Sequence, residues 1–174
     1  LAGQFTIFSF LAPLLAQLFG ADARETAVTF ALAGLAGVAG NILFASLASR
    51  QGSGRLVAMT LTFMATGAAI LGLSGGSFGV ALLSVAVWGL GSFASTSLQQ
   101  GRLANASPDL AAATISLNTS TVYLGQAAGV AAGGIAIGGG RPQLVIWIAI
   151  AFLLAAIAVS AFVTRRAGGE RRSA

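Results

Sequence analysis

The chain has no cysteine, no histidine and no lysine, and only three prolines and four carboxylates in 174 residues. Without cysteine there is neither a disulfide framework nor thiol chemistry. Without histidine a serine nucleophile lacks its usual base. Gly72-Leu73-Ser74-Gly75 therefore has only the outline of an intramembrane serine protease motif. Four scattered acids with no His or Cys beside them offer no metal site, so no cofactor and no enzyme activity are expected. Charged residues make up 7% of the chain, against roughly 25% in soluble domains. So few charges cannot coat a surface that faces water.

What is present fits a bilayer. The composition is 56% hydrophobic and the mean hydropathy is +0.90. The net charge of +5 rests on nine arginines, but they form no basic stripe interleaved with aromatics, which argues against nucleic acid as a partner. The run that opens at Leu1 is expected to be part of a longer protein. A signal peptide is the alternative, because Ala21-Asp22-Ala23 resembles an A-x-A cleavage site. No basic segment precedes it, however, and Gln4, Pro13 and Gln17 interrupt the run.

Stretches of about 20 apolar residues match a hydrocarbon core about 30 Å thick. Six occur, at 1–19, 26–48, 56–73, 78–98, 110–137 and 144–163. A backbone in lipid must satisfy its own hydrogen bonds, so each span is predicted to be a helix. The expected fold is an all-α, polytopic membrane unit of six helices. The connections at 20–25, 49–54, 74–77 and 138–142 are short and rich in turn residues. The connection at 99–109 is longer and begins as a helical extension, until Asn105-Ala106-Ser107-Pro108 breaks it, with Ser107 or Asp109 as the next cap. Six crossings put Arg50, Arg55, Arg102, Arg165, Arg166, Arg171 and Arg172 on one side, and Arg24 and Arg141 on the other. The positive-inside bias makes the first side cytoplasmic. Residues 165–174 then form a cytoplasmic basic tail, and the protein belongs in a bacterial inner membrane.

Polar residues are unequally shared. The sixth span holds only Ser160, and the third only threonines that can bond to their own backbone. Both are expected at the periphery. The first carries Gln4, the second Asn41, the fourth ends in GSFASTSLQQ, and the fifth contains SLNTSTVYLGQAAGVAAGG. Amides in hydrocarbon need a partner helix, water or a substrate. On the fifth span Gly125, Gly129 and Gly133 recur every four residues, with Asn118 close to their meridian, a stripe suited to close helix packing. Thr119, Tyr123 and Gln126 fall on the adjoining face, as a cavity wall or as interhelical hydrogen-bonding groups. Gly34, Gly37 and Gly40, together with Ala33 and Asn41, form a similar small-residue seam on the second span. No span contains Asp, Glu, Arg or Lys, so a proton relay within these residues is not expected.

Several segments resemble the C-terminal half of a major facilitator superfamily transporter. They are GQFTIFSFLAPLL, LAGLAGVAGNILFASLASRQGSGR, SLQQGRLANASPDLAAATISLNTSTVYLGQAAGVAAGG and the TRR near the end. The likeness extends to the drug/proton antiporter branch, with its sugar-efflux and chloramphenicol-resistance-like permeases. It implies that the six spans are helices seven to twelve, with seven, eight, ten and eleven around a central cavity and nine and twelve outside. It also implies proton-coupled efflux of small amphipathic or sugar-like molecules by alternating access, of the multidrug-resistance kind, and a missing N-terminal six-helix half as partner. Gln4, Asn41, Asn118, Thr119, Tyr123 and Gln126 are the candidate cavity residues, and Gly34, Gly37, Gly125, Gly129 and Gly133 the candidate packing glycines. Arg50, Gly52 and Arg55 resemble the superfamily's cytoplasmic G-x-L-a-D-R-x-G-x-R loop, with Ala45 and Ser49 in place of its Gly and Asp and Arg55 one position late. The alternative is a six-helix membrane protein complete in itself, such as a channel, an assembly subunit or a homodimeric transporter.

Overall fold

The computed structural model describes residues 1–48, 50–51, 53–106 and 110–173, and their side chains apart from those of 53, 106, 111 and 164 onward. The loop residue Gly52 and the capping candidates Ser107 and Asp109 lie outside the described residues. Among the described residues seven helices follow in order: α1 (Ala2–Phe8), α2 (Leu11–Phe19), α3 (Ala23–Ala48), α4 (Ser53–Gly72), α5 (Phe78–Ala106), α6 (Ala111–Gly138) and α7 (Pro142–Ser173). Five are long and apolar enough to cross a membrane, and α1 with α2 makes a sixth, bent span. The chain is an all-α, multi-pass membrane protein.

The first span differs from the straight helix expected over 1–19. It bends by 54° between α1 and α2, and Pro13 supplies the cause. A proline has no N–H for the carbonyl four residues back, and its ring crowds that carbonyl. Here that carbonyl belongs to Ser9. The Phe10 N–H turns to Ile7 O (3.1 Å), and Leu14 N–H resumes the ladder at Phe10 O (2.9 Å). Gly20 closes α2 at φ 64°, a left-handed conformation that costs glycine little.

A reciprocal cap then starts α3. Glu25 N–H donates to Asp22 Oδ1 (2.7 Å), and Asp22 N–H donates to Glu25 Oε2 (3.0 Å). This capping box satisfies two amides that no helical carbonyl reaches. Asp22→Ala should cost about 1 kcal/mol, seen as a small fall in the thermal midpoint, and Asp22→Asn should restore most of it.

The spans pack in a closed pattern. α5 lies along α3 and α4, α7 lies along α4 and α1, and α6 rests on α1, with lighter contacts to α5 and α7. Glycines set the close approaches. A Cβ on Gly40 would meet the Leu90 carbonyl of α5, and one on Gly91 would meet the Thr60 carbonyl of α4. The Ser84 hydroxyl donates to Gly67 O (2.8 Å), tying α5 to α4. The main core joins Leu11, Leu14 and Leu15 to Met64, Val85, Trp88, Val145 and Ile146. A second cluster, Phe44, Leu56, Val57, Ala94 and Leu98, closes the end of α3, α4 and α5 near residue 50.

The seam on α3 needs one correction. Ala33, Gly37 and Gly40 are buried, and Gly37 faces the Phe93 ring. Gly34 faces open space, where a methyl would find nothing within 4 Å. At 100° per residue Gly34 is turned away from the meridian that positions 33, 37 and 40 share. The connection at 99–109 does begin as a helical extension, with α5 running through Ala106.

Candidate functional site

Hydroxyls and amides behave differently in this molecule. Along α6, Thr114, Ser116, Thr119, Ser120 and Thr121 donate to carbonyls four residues back, at 2.8–3.3 Å. Such groups are satisfied within their own helix and need no cavity. Thr119 is thereby less demanding than its position on the polar face implied. Amides cannot be satisfied so simply. Asn41, Asn118 and Gln126 are half-buried, and Gln4 is buried on α1.

The structure divides the six cavity candidates. Thr119 and Tyr123 lie on the outer face of α6, where Tyr123 is 65% exposed. Only 17% of the most apolar stretch of α6 is buried within the molecule, against 44% for α5. Gln126 is half-buried one turn along the same helix. Asn118 belongs elsewhere, lining a cavity of about 670 Å³ between α4, α5, α6 and α7. Ser95, Thr96, Gln99 and Arg102 form its polar side, and Val57, Leu61 and Val159 are among its apolar walls. It does not include Gln4, Asn41, Thr119, Tyr123 or Gln126. Leu1 also lines this cavity, and with Ala2 it meets α6 at Gly125.

The glycine stripe of α6 meets α1 and the break that follows it. A Cβ on Gly129 would run into the Ala2 carbonyl, and one on Gly133 would press on the Phe10 ring at 2.7 Å. Gly125 is looser, with ordinary contacts at 3.6 Å. Between them Thr6 is fully buried, and its hydroxyl donates to Ala2 O (2.8 Å) and Gly129 O (3.1 Å). This bond crosses 123 residues of sequence and holds the two helices in register.

One group escaped the sequence reading. Phe8, beside the break in the first span, stacks on Trp88 of α5, with ring centroids 6.0 Å apart and planes 9° apart. Phe30 of α3 (5.8 Å) and Phe5 (6.2 Å) meet the Phe8 ring edge-on. Trp88 is only 4% exposed, while Phe8 remains 39% exposed. The available signals were Pro13 inside a span and three aromatics within FTIFSF.

This chain is similar to two curated transport proteins. It is 32% identical over 137 residues to the inner membrane transport protein YdhP of Escherichia coli O157:H7. It is 31% identical over 137 residues to the protein of the same name in Escherichia coli strain K12. Each match covers 79% of this chain and 35% of the relative. The chain thus spans about a third of the length of the curated relatives it matches. No protein-family model and no solved structure matches.

The loop arginines stand apart from any described acid. Arg50 and Arg55 are exposed, flanking the junction of α3 and α4. Asp22 and Glu25, the acids whose side chains are described, lie at the other end of α3. At 26 residues that helix is about 39 Å long. Among the described residues no carboxylate is placed to take the role of the motif's missing Asp.

Proposed function

We propose that this chain is one half of a secondary transporter of the major facilitator type, exporting small amphipathic molecules across a bacterial inner membrane by alternating access. The observation that carries this is the pairing of the spans. Take the first three spans (α1 with α2, α3, α4) and the last three (α5, α6, α7) as two triplets. Exchanging the triplets turns α3 on α5 into α6 on α1, and α4 on α5 into α7 on α1. The pairing of α4 with α7 maps onto itself, and α6 on α7 maps onto the lighter α3 on α4. Each triplet has three crossings, so the second runs opposite to the first. Inverted repeats of this kind are a building rule of such transporters, whose substrates bind near the midplane. Similarity to proteins named for inner membrane transport supports the same conclusion.

In this arrangement the exposed faces of α3 and α6 meet a second six-helix unit, and Tyr123 and Gln126 look toward it. The C-terminal tail is cytoplasmic. Proton coupling uses acids outside these spans, because none of the six contains one. The test is transport by the complete reading frame in proteoliposomes under an imposed pH gradient. Gradient-driven movement of an amphipathic dye, abolished by a protonophore, is expected. Tyr123→Ala and Gln126→Ala should each reduce substrate affinity severalfold. Unchanged affinity in both would remove the α6 face from the site, and gradient-independent channel currents would refute the transporter.

A further inference from the structure

We infer that the cavity between α4, α5, α6 and α7 is the seat of a further stretch of the first span, about eleven residues that precede Leu1 and continue α1 as a helix. The inference rests on the internal repeat described above and not on transport.

The repeat has a register. α3 and α6 begin at Ala23 and Ala111, 88 positions apart, and α4 and α7 begin at Ser53 and Pro142, 89 apart. The close approaches keep the same step. A Cβ on Gly40 of α3 would meet the Leu90 carbonyl of α5, and one on Gly129 of α6 would meet the Ala2 carbonyl of α1. One turn earlier, Gly89 faces Ala36 as Leu1 faces Gly125. α5 and the first span also end in step, at Ala106 and Phe19, 87 apart. Their beginnings do not match. α5 starts at Phe78, twelve residues before Leu90, so the counterpart of Phe78 falls eleven positions ahead of Leu1. At 1.5 Å per residue that is about 16 Å of helix.

The walls fit this occupant. In the first triplet the early turns of α5 lie against α4, where a Cβ on Gly67 would meet the backbone of Ser84 and Trp88. The counterpart of Gly67 on α7 is Ala156, which lines the cavity. On α6 the wall residue Val122 is the counterpart of Ala33, which is buried against Gly89 of α5. Leu1, from which a continuing helix would enter, lines the same cavity. The most apolar stretches of α6 and α7 are 17% and 28% buried, against 33% and 39% for their counterparts α3 and α4. The second triplet thus lacks the cover that the early turns of α5 give the first. Apolar walls alone, such as Val57, Leu61 and Val159, would equally admit a lipid chain. The register does not, because only the first span repeats α5. Asn118 and Gln99 then meet groups of that helix rather than a substrate.

Cysteine pairs in the protein from the complete reading frame provide the test. Ser84 lies against Gly67, and its counterpart is the residue five positions ahead of Leu1. A cysteine there should form a disulfide with Ala156→Cys on mild oxidation, identified by peptide mass spectrometry. The residue six positions ahead is the control, because its counterpart Leu83 is 57% exposed. Its disulfide yield should be about tenfold lower. Ala156→Leu should lower the thermal midpoint, since the added bulk meets a helix. No disulfide from the first pair, or an equal yield from both, would overturn the inference. So would an unchanged midpoint for Ala156→Leu, or a phospholipid or dye that shields Ala156→Cys from a maleimide in proportion to its concentration. The disulfide without gradient-driven transport would leave the inference standing and refute only the transporter reading. Transport without the disulfide would do the reverse.

Discussion

Gly40→Ala lowers the stability of the protein by about 2–3 kcal/mol, whereas Gly34→Ala, six residues earlier on the same helix, raises it by up to about 1 kcal/mol. The same methyl is added twice to α3, with opposite signs. At Gly40 it would run into the Leu90 carbonyl of α5, which is backbone and cannot rotate aside. Either α3 and α5 separate, and lose the contacts that glycine allows, or the helices bend. In lipid there is little hydrophobic drive to bring helices together again, so close packing carries the association. At Gly34 the methyl meets nothing, and only the helix preference of alanine over glycine remains. α6 gives the internal control. Gly129→Ala should behave like Gly40→Ala, because its Cβ would meet the Ala2 carbonyl, and Gly125→Ala, with only ordinary contacts, should follow Gly34→Ala. Thermal unfolding in detergent, followed by circular dichroism, measures all four. Equal midpoints for Gly34→Ala and Gly40→Ala would show that the seam is not where the packing places it.

That contrast also marks how far the sequence alone could be read. The helical, multi-pass fold was legible because hydropathy reports the medium directly. Each long apolar run must satisfy its backbone internally, and five single helices and one bent pair follow. Helix phase was harder. Ala33, Gly34, Gly37, Gly40 and Asn41 read as one seam, yet positions 33, 37 and 40 share the buried meridian and 34 does not. A three-residue spacing drifts by 60° from a straight line, so a run of glycines does not say which of them is used. The hydroxyls of α6 misled in a different way. They mark a polar sequence, but their bonds to preceding carbonyls leave them content in lipid. The amides separate as well: Asn118 and Gln126 are both half-buried, but only Asn118 lines the cavity between α4, α5, α6 and α7. The aromatic group at Phe8 depends on three helices meeting, and nothing local in the chain announces where Phe30 and Trp88 come to lie.

Phe44→Ala should cost about 3 kcal/mol, at the lower end of the range for deleting a buried phenyl ring. The reason lies in the medium. In water-soluble proteins part of that cost is transfer of apolar surface away from water, a term that largely disappears when the unpacked helices are still in lipid. What remains is lost dispersion contact and the void itself. Phe44 is 2% exposed, packs with Leu56, Val57, Ala94 and Leu98, and meets the Phe63 ring edge-on at 5.9 Å and 80°. Those partners come from α4 and α5, so one ring holds three helices at the end where Arg50 and Arg55 emerge. Arg50 follows Phe44 by six residues, and Leu56 follows Arg55 directly. Phe44→Ala should therefore loosen that junction, and a maleimide label at Arg50→Cys should become more mobile by spin-label spectroscopy. Ile135→Ala is the matched comparison, because Ile135 is 78% exposed and faces lipid or a partner rather than this core. If Ile135→Ala and Phe44→Ala shift the unfolding midpoint equally, side-chain packing does not hold this end together. If only Phe44→Ala does, the two arginines are mounted on a packed hinge, and any movement at this end would have to carry α3, α4 and α5 as one body.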